Sequence, residues 1–163
     1  VFVKDWILFR NEGNFTFTDA ASEAKLANFE FSWGAIFEDF NLDGKQDLAV
    51  AENYIDFPPQ KAFKLPCRLL IQQNGERFAA VEEQAGAINK HYAITPLSTD
   101  FNSDGYPDLI YSNLDGPLKV FMSAGGANHF LKVSFQKNAK NLGATVHVSH
   151  EEKILTDFLY SGE

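Results

Sequence analysis

The sequence predicts an all-β fold, and three observations carry that prediction. Short apolar runs alternate with clusters of Gly, Asn, Asp and Pro along most of the chain, a rhythm of strands and turns rather than helices. The chain also repeats itself at a fixed interval. From Asn128 onward, apolar and polar residues alternate through Phe130–Phe135 and Ala144–Val148, as half-buried antiparallel strands do.

Two anchors define the repeat. The stretch Ala35-Ile-Phe-Glu-Asp39-Phe40-Asn41-Leu42-Asp43-Gly44-Lys45-Gln46-Asp47-Leu48-Ala49-Val50 has a partner. It is Pro96-Leu-Ser-Thr-Asp100-Phe101-Asn102-Ser103-Asp104-Gly105-Tyr106-Pro107-Asp108-Leu109-Ile110-Tyr111, at an offset of 100 − 39 = 61 residues. Leu8–Gly13 with Phe17 beyond is matched by Leu70–Gly75 with Phe78 beyond. The phenylalanines keep the 61-residue offset, with one residue of slack in the turn. Self-similarity at a fixed period marks a fold built from one repeated supersecondary unit.

In order along the first unit, strands are expected near Trp6–Arg10, Phe15–Ala20, Gly34–Glu38 and Leu48–Glu52. The second unit supplies Arg68–Gln72, Arg77–Val81, Ile94–Ser98 and Leu109–Ser112. Ser22–Leu26 and Val81–Ala85 read as helical turns between strands. Asn53–Pro66, with Pro58, Pro59 and Pro66, reads as a long surface connection. Leu118–Met122 resembles the opening strand of each unit. Four strands per 61-residue unit is the arithmetic of a propeller blade. The expected organisation is two four-stranded, propeller-type blades over 1–127 and a small β module over 128–163, with a boundary near Ala127.

Composition narrows the function. Across 163 residues, 22 Asp and Glu stand against 14 Lys and Arg, a net charge of −8. That balance argues against nucleic-acid or anionic-membrane binding, which needs a basic field. No apolar run approaches the roughly 20 residues that span a bilayer. The one cysteine, Cys67, precludes an intrachain disulfide and reads as a buried small hydrophobe rather than a nucleophile. The chain starts on Val1 within a strand-like run, so a piece of a longer protein is expected.

Both repeats present Asp-x-Asn-x-Asp-Gly-x-x-Asp between apolar strands. A hard dication wants six to eight oxygens at short range, and calcium tolerates flexible geometry better than magnesium. Positions 1, 3 and 5 of a tight loop turn side-chain oxygens inward, and Gly at position 6 permits the turn. Position 7 offers a carbonyl and Asp at position 9 closes the shell. The ligands expected for a first Ca2+ are Asp39, Asn41, Asp43, Asp47 and the Lys45 carbonyl. Those for a second are Asp100, Asn102, Asp104, Asp108 and the Tyr106 carbonyl. An EF-hand is excluded, because position 12 holds Val50 or Tyr111 instead of a bidentate Glu. A plain Asp-Gly hairpin explains the turn. It does not explain three carboxylates within nine residues, twice, whose repulsion a cation would relieve. Without the six loop aspartates the balance is 14 − 16 = −2, so the acidity is gathered at the two loops.

Leu8-Phe9-Arg10-Asn11-Glu12-Gly13 with Phe17-Thr18-Asp19, then Phe37-Glu38-Asp39-Phe40-Asn41-Leu42-Asp43-Gly44 with Asp47-Leu48-Ala49-Val50, resembles the FG-GAP/VCBS repeat. That repeat forms the blades of integrin α-chain propellers and occurs in many bacterial secreted proteins. The second unit departs from it at Ile71-Gln72-Gln73 but keeps the acidic loop. Asn128-His129-Phe130-Leu131-Lys132-Val133, with Gly143-Ala144-Thr145-Val146-His147-Val148, resembles the start of the ASPIC/UnbV domain. The resemblance implies a calcium-stabilised propeller used for binding, with ions bracing the loops away from the ligand face. It also implies an extracellular, periplasmic or cell-surface setting.

No catalytic constellation is found, so an enzyme is not expected. A nucleophile elbow, a phosphate loop and a dinucleotide fingerprint are all missing. His91, His129, His147 and His150 are scattered, and His147 and His150 fall on opposite faces of an extended segment. Glu82-Glu83 and Glu151-Glu152 read as solvated charges rather than a glycosidase pair. Trp6, Trp33, Tyr54 and Tyr92 read as packing residues, with a sugar platform as the competing use. The function expected is a non-catalytic adhesion or recognition module for a protein or glycan ligand. The alternative is a carbohydrate-binding or carbohydrate-active propeller. Two blades cannot close a ring that needs about four to eight. The exposed edges therefore imply self-association or the remainder of a longer propeller.

Overall fold

Turn chemistry decides where the strands of this chain start and stop. The computed structural model describes residues 5–27, 31–52, 65–135, 141–150 and 153–158. Among them run β1 (Phe9–Gly13), β2 (Thr16–Asp19), β3 (Ser32–Glu38), β4 (Asp47–Glu52), β5 (Arg68–Gln72) and β6 (Phe78–Ala80). They are followed by β7 (Ala93–Thr99), β8 (Asp108–Asn113), β9 (Lys119–Phe121), β10 (Thr145–His150) and β11 (Lys153–Phe158). All pairs are antiparallel, and the described residues contain no α-helix. The chain divides into two compact units, Val1–Asn128 and His129–Glu163. In the first unit the sheets are β1-β2, β3-β4-β5-β6 and β7-β8-β9; in the second, β10-β11. The fold is thus all-β, built of small antiparallel sheets without a closed barrel.

The sequence repeat and the sheets are out of phase. Four strands were expected within each 61-residue unit, yet β3 and β4 pair with β5 and β6 of the next one. Short connections make the β3-β4 and β5-β6 hairpins, and the link across the repeat boundary is the pairing of β4 with β5, Leu48 opposite Leu70, Ala49 opposite Leu69 and Val50 opposite Arg68. The third sheet has three strands among the described residues. The period itself is uniform in the backbone. Ala20 N–H donates to the Leu8 carbonyl and Val81 N–H to the Leu69 carbonyl, each at 2.8 Å. Asn14 and Phe15 hold positive φ where Gly75 and Glu76 do. Leu8 therefore corresponds to Leu69, and the slack suggested by matching Gly13 to Gly75 disappears.

The segments expected as helical turns each form a single turn, Ala24 N–H donating to the Ala20 carbonyl at 2.9 Å and Ala85 N–H to the Val81 carbonyl at 2.8 Å, and are then closed off. Leu26 N–H donates to the Ala21 carbonyl and Lys25 N–H to Ser22; Ala87 donates to Glu82 and Gly86 to Glu83. Lys25 and Gly86 sit at φ 65° and 67°. That is the paired bonding of a Schellman turn with a left-handed penultimate residue. It stops any helix after one turn.

β4 is buried at every position because both its faces are covered. Leu48 and Val50 pack with Leu70, Phe78, Ala21, Ala24 and Leu26 on one side. Ala49 and Ala51 pack with Leu69, Cys67, Ala87, Leu109 and Tyr111 on the other. The small side chains let β3 and β4 lie close to β7. Gly34 is the tightest point: a Cβ there would stand 2.7 Å from the Ile94 carbonyl oxygen and 3.1 Å from the Thr95 Cα.

Elsewhere expectations give way. Phe130–Phe135 forms no strand and is exposed, whereas β11 pairs with β10 from Thr145↔Phe158 to His150↔Lys153. Alternation in a sequence specifies a strand only where a partner strand takes up its backbone groups. Trp6–Leu8 precedes β1 instead of belonging to it. Of the expected surface connection, 53–64 lies outside the described residues, as do 1–4, Tyr54 and Glu151-Glu152.

Gly34→Ala is expected to destabilise the first unit by about 1–3 kcal/mol, because the obstructing atoms are backbone and cannot swing away. Urea unfolding measures it; an unchanged midpoint would mean that β3 and β7 do not approach so closely.

Candidate functional site

The two acidic loops, 39–47 and 100–108, are closed by the same hydrogen bonds. Asp39 accepts the Asp43 amide at 3.0 Å and the Gly44 amide at 2.7 Å; Asp100 accepts Asp104 at 3.1 Å and Gly105 at 2.9 Å. Asn41 Oδ1 also accepts from the Asp43 amide, as Asn102 Oδ1 does from Asp104. The Lys45 amide donates to Asp43 and the Tyr106 amide to Asp104, at 2.9 and 2.8 Å. Leu42 and Ser103 take φ 56° and 60°, and Gly44 and Gly105 take 83° and 87°. Glycine is suited to the second of these left-handed positions.

The ninth residue of each loop is a strut. Asp47 and Asp108 open β4 and β8 and are fully buried. Asp47 accepts the Phe40 amide of its own loop at 3.0 Å and the Gln72 amide at the end of β5 at 2.9 Å. Asp108 accepts Phe101 at 2.9 Å and Ser123, just past β9, at 2.7 Å. One carboxylate thereby fastens the loop to the third strand of its sheet.

Negative charge is crowded in the first loop. Burial pushes the Asp47 carboxyl up to about 6, and the Asp39 and Asp43 carboxylates add to the effect against the Gln72 and Phe40 amides. Asp39 is also raised, by burial first and by Asp43, although the Gly44 and Asp43 amides oppose it. Asp43 is lowered: burial alone would raise it, but Lys45 outweighs that through an ammonium at 2.8 Å and its own amide. Among the described residues no three His, Cys, Asp or Glu side chains form a ready metal cluster, and the carboxylates are turned onto loop amides. The donor set itself, carboxylates with an amide oxygen in each loop, has the all-oxygen chemistry a hard cation takes.

Sequence reasoning missed the residue that links the loops. Tyr106 is buried and its hydroxyl donates to the Asn128 carbonyl at 2.7 Å, while Asn128 Nδ2 donates to the Asn41 carbonyl at 3.0 Å. Nothing in the local pattern around Asn128 points to a residue 87 positions away.

The other singled-out residues fall differently. Glu82 was expected to be solvated but is buried, bonded through Oε1 to Arg68 Nη1 at 2.8 Å. Arg68 also binds buried Glu52. The signal available was an Arg opening the apolar strand Arg68–Gln72, which needs an acidic partner if it faces inward. Glu83 is exposed. Cys67 is buried and its thiol is pushed up to about 11 by burial, so it is not a nucleophile at neutral pH. Tyr92 is buried, but Trp33 is half exposed at 51 %, with Phe31 edge-on at 5.3 Å. His91 Nδ1 lies 3.5 Å from Asp115, and His147 Nδ1 lies 2.9 Å from Thr156 Oγ1.

The folded protein holds the Asp47 proton more tightly than the unfolded chain does. This group therefore favours the fold below about pH 4, and that advantage is lost as pH rises through about 6. The difference is on the order of 2 kcal/mol. Urea unfolding in calcium-free buffer between pH 4 and 7 measures it, and Asp39→Asn is expected to flatten the slope. An equal slope in that variant would remove like-charge crowding as a cause. No protein-family model matches the chain, and no curated protein matches it either.

Proposed function

We propose that the chain is a calcium-braced, non-catalytic recognition module of a secreted or cell-surface propeller protein, with its sheets acting as FG-GAP/VCBS-like blades. The observation that carries this reading is the doubled loop. The same turn, the same amide-to-carboxylate bonds and the same buried strut recur 61 residues apart. A hairpin needs no such set of acids to turn; a cation site does. One calcium ion would be held by Asp39, Asn41, Asp43, Asp47 and the Lys45 carbonyl. A second would be held by Asp100, Asn102, Asp104, Asp108 and the Tyr106 carbonyl. Each ion would neutralise its loop and lock a connection whose far end is fastened to the sheet. The ASPIC/UnbV-like reading of the tail belongs to the same proposal, and rests on the sequence resemblance.

A second reading, carbohydrate binding, is favoured by one observation: the exposed Trp33 ring beside Phe31. Stacking on such a ring is how aromatic surfaces hold apolar faces of ligands. Depletion of the protein by insoluble polysaccharides, lost in Trp33→Ala, would favour this reading over protein recognition.

Calcium in large excess over its dissociation constant is expected to raise the thermal midpoint by about 5 °C or more over chelator. Asp43 and Asp104 are not among the buried residues, so Asp43→Ala and Asp104→Ala should each keep the fold and remove about half of that rise. Magnesium should substitute poorly. A midpoint indifferent to calcium would overturn the metal assignment.

A further inference from the structure

An apolar cavity of about 360 Å3 lies against β3 and β4 in the first unit, and the chain contains its own precedent for what fills it. Trp6, Leu8, Leu26, Ser32, Leu48 and Val50 are among its walls. Moved on by the 61-residue period, those positions become Cys67, Leu69, Ala87, Ala93, Leu109 and Tyr111. All six belong to the closed core between the four-stranded and three-stranded sheets. In that core the space between the same walls is taken by Ile36 of β3 and by Ala49 and Ala51 of β4. The cavity is therefore the same joint without its strand pair.

The backbone repeats the comparison. β5 carries β6 on one edge and β4 on the other, with Ala49 opposite Leu69. β1, its counterpart one period earlier, pairs with β2 alone among the described residues. Leu8, the counterpart of Leu69, lines the hollow and leads straight into β1, so a strand edge left unpaired among the described residues begins at an apolar hollow, the combination that an added strand satisfies with backbone bonds and inserted side chains together.

We propose that this cavity and the edge running from Leu8 into β1, unpaired among the described residues, form a docking site for an antiparallel β-ribbon of the β3–β4 kind. Its two strands carry aliphatic side chains at the positions of Ile36, Ala49 and Ala51. A small apolar ligand would use the hollow but leave the edge unpaired. The proposal rests on the sheet-stacking part of the reading above and not on calcium.

The probe is a peptide of residues 31–52 carrying Trp33→Phe, added to the full chain with the same substitution, so that Trp6 is the sole indole. Its emission is expected to shift to the blue and to saturate. A peptide with Ile36→Asp, Ala49→Asp and Ala51→Asp is expected to bind at least ~30-fold more weakly, because it would bury charges without partners. Joined ahead of the chain through a flexible Gly/Ser linker, the native ribbon is expected to raise the thermal midpoint by about 5 °C. The Asp-bearing ribbon should give none of that gain. The fusion decides the matter if the free peptide is too unstructured to bind. A fusion no more stable than its Asp control overturns the proposal. Each arm is run in calcium and in chelator. Ribbon docking without a calcium response would then retain the strand site and discard the metal, and the opposite result would do the reverse.

Discussion

The architecture of the first unit hangs on a buried carboxylate at the start of a strand. Asp47 and Asp108 are out of water altogether, a position that costs several kcal/mol unless the charge is well bonded. Each spends one oxygen on its own loop and the other on the end of the third strand of its sheet. Loop shape, the register of β4 and β8, and the position of the strands beside them are thereby coupled. A loop rearrangement would strand a carboxylate in the interior, so the loops cannot move independently of the sheets.

A second constraint follows from burial on both faces. β4 buries Leu48 and Val50 one way and Ala49 and Ala51 the other because other parts of the chain pack on each of its faces. On the β7-β8-β9 side the layers come so close that Gly34 must lack a side chain. On the other side the described residues that cover it are the Ala20–Ala27 turn and the start of the first hairpin, and among them a hollow remains. In the Glu52–Arg68–Glu82 cluster the one guanidinium binds both carboxylates. Such a cluster adds little net stability compared with apolar packing, but it penalises any register that separates its members.

What was legible in the residues was whatever depends on near neighbours. The acidic loops could be read because nine consecutive positions carry their whole turn, and the strands beside them because their alternation is local. Glu82 could not be read as buried, since the charge that admits it, Arg68, lies 14 residues away at the start of β5. The exposure of Trp33 was equally hidden: an indole in a strand is buried only if a layer covers that face. Phe130–Phe135 alternates as a strand should, yet alternation says nothing about whether a partner edge is within reach.

By itself the sequence determined the all-β class, the 61-residue period, the acidic turns with their glycines, and the hairpin connections that no longer chain could close more cheaply. Those are consequences of backbone sterics and side-chain periodicity, which act over a few residues. Only the tertiary structure decided that the sheets straddle the repeats, that Asp47 and Asp108 reach across to a third strand, and that Asn128 ties one loop to the other. Each of these joins residues distant in the chain. Their energy comes from water excluded between layers and from buried polar groups that must find partners there.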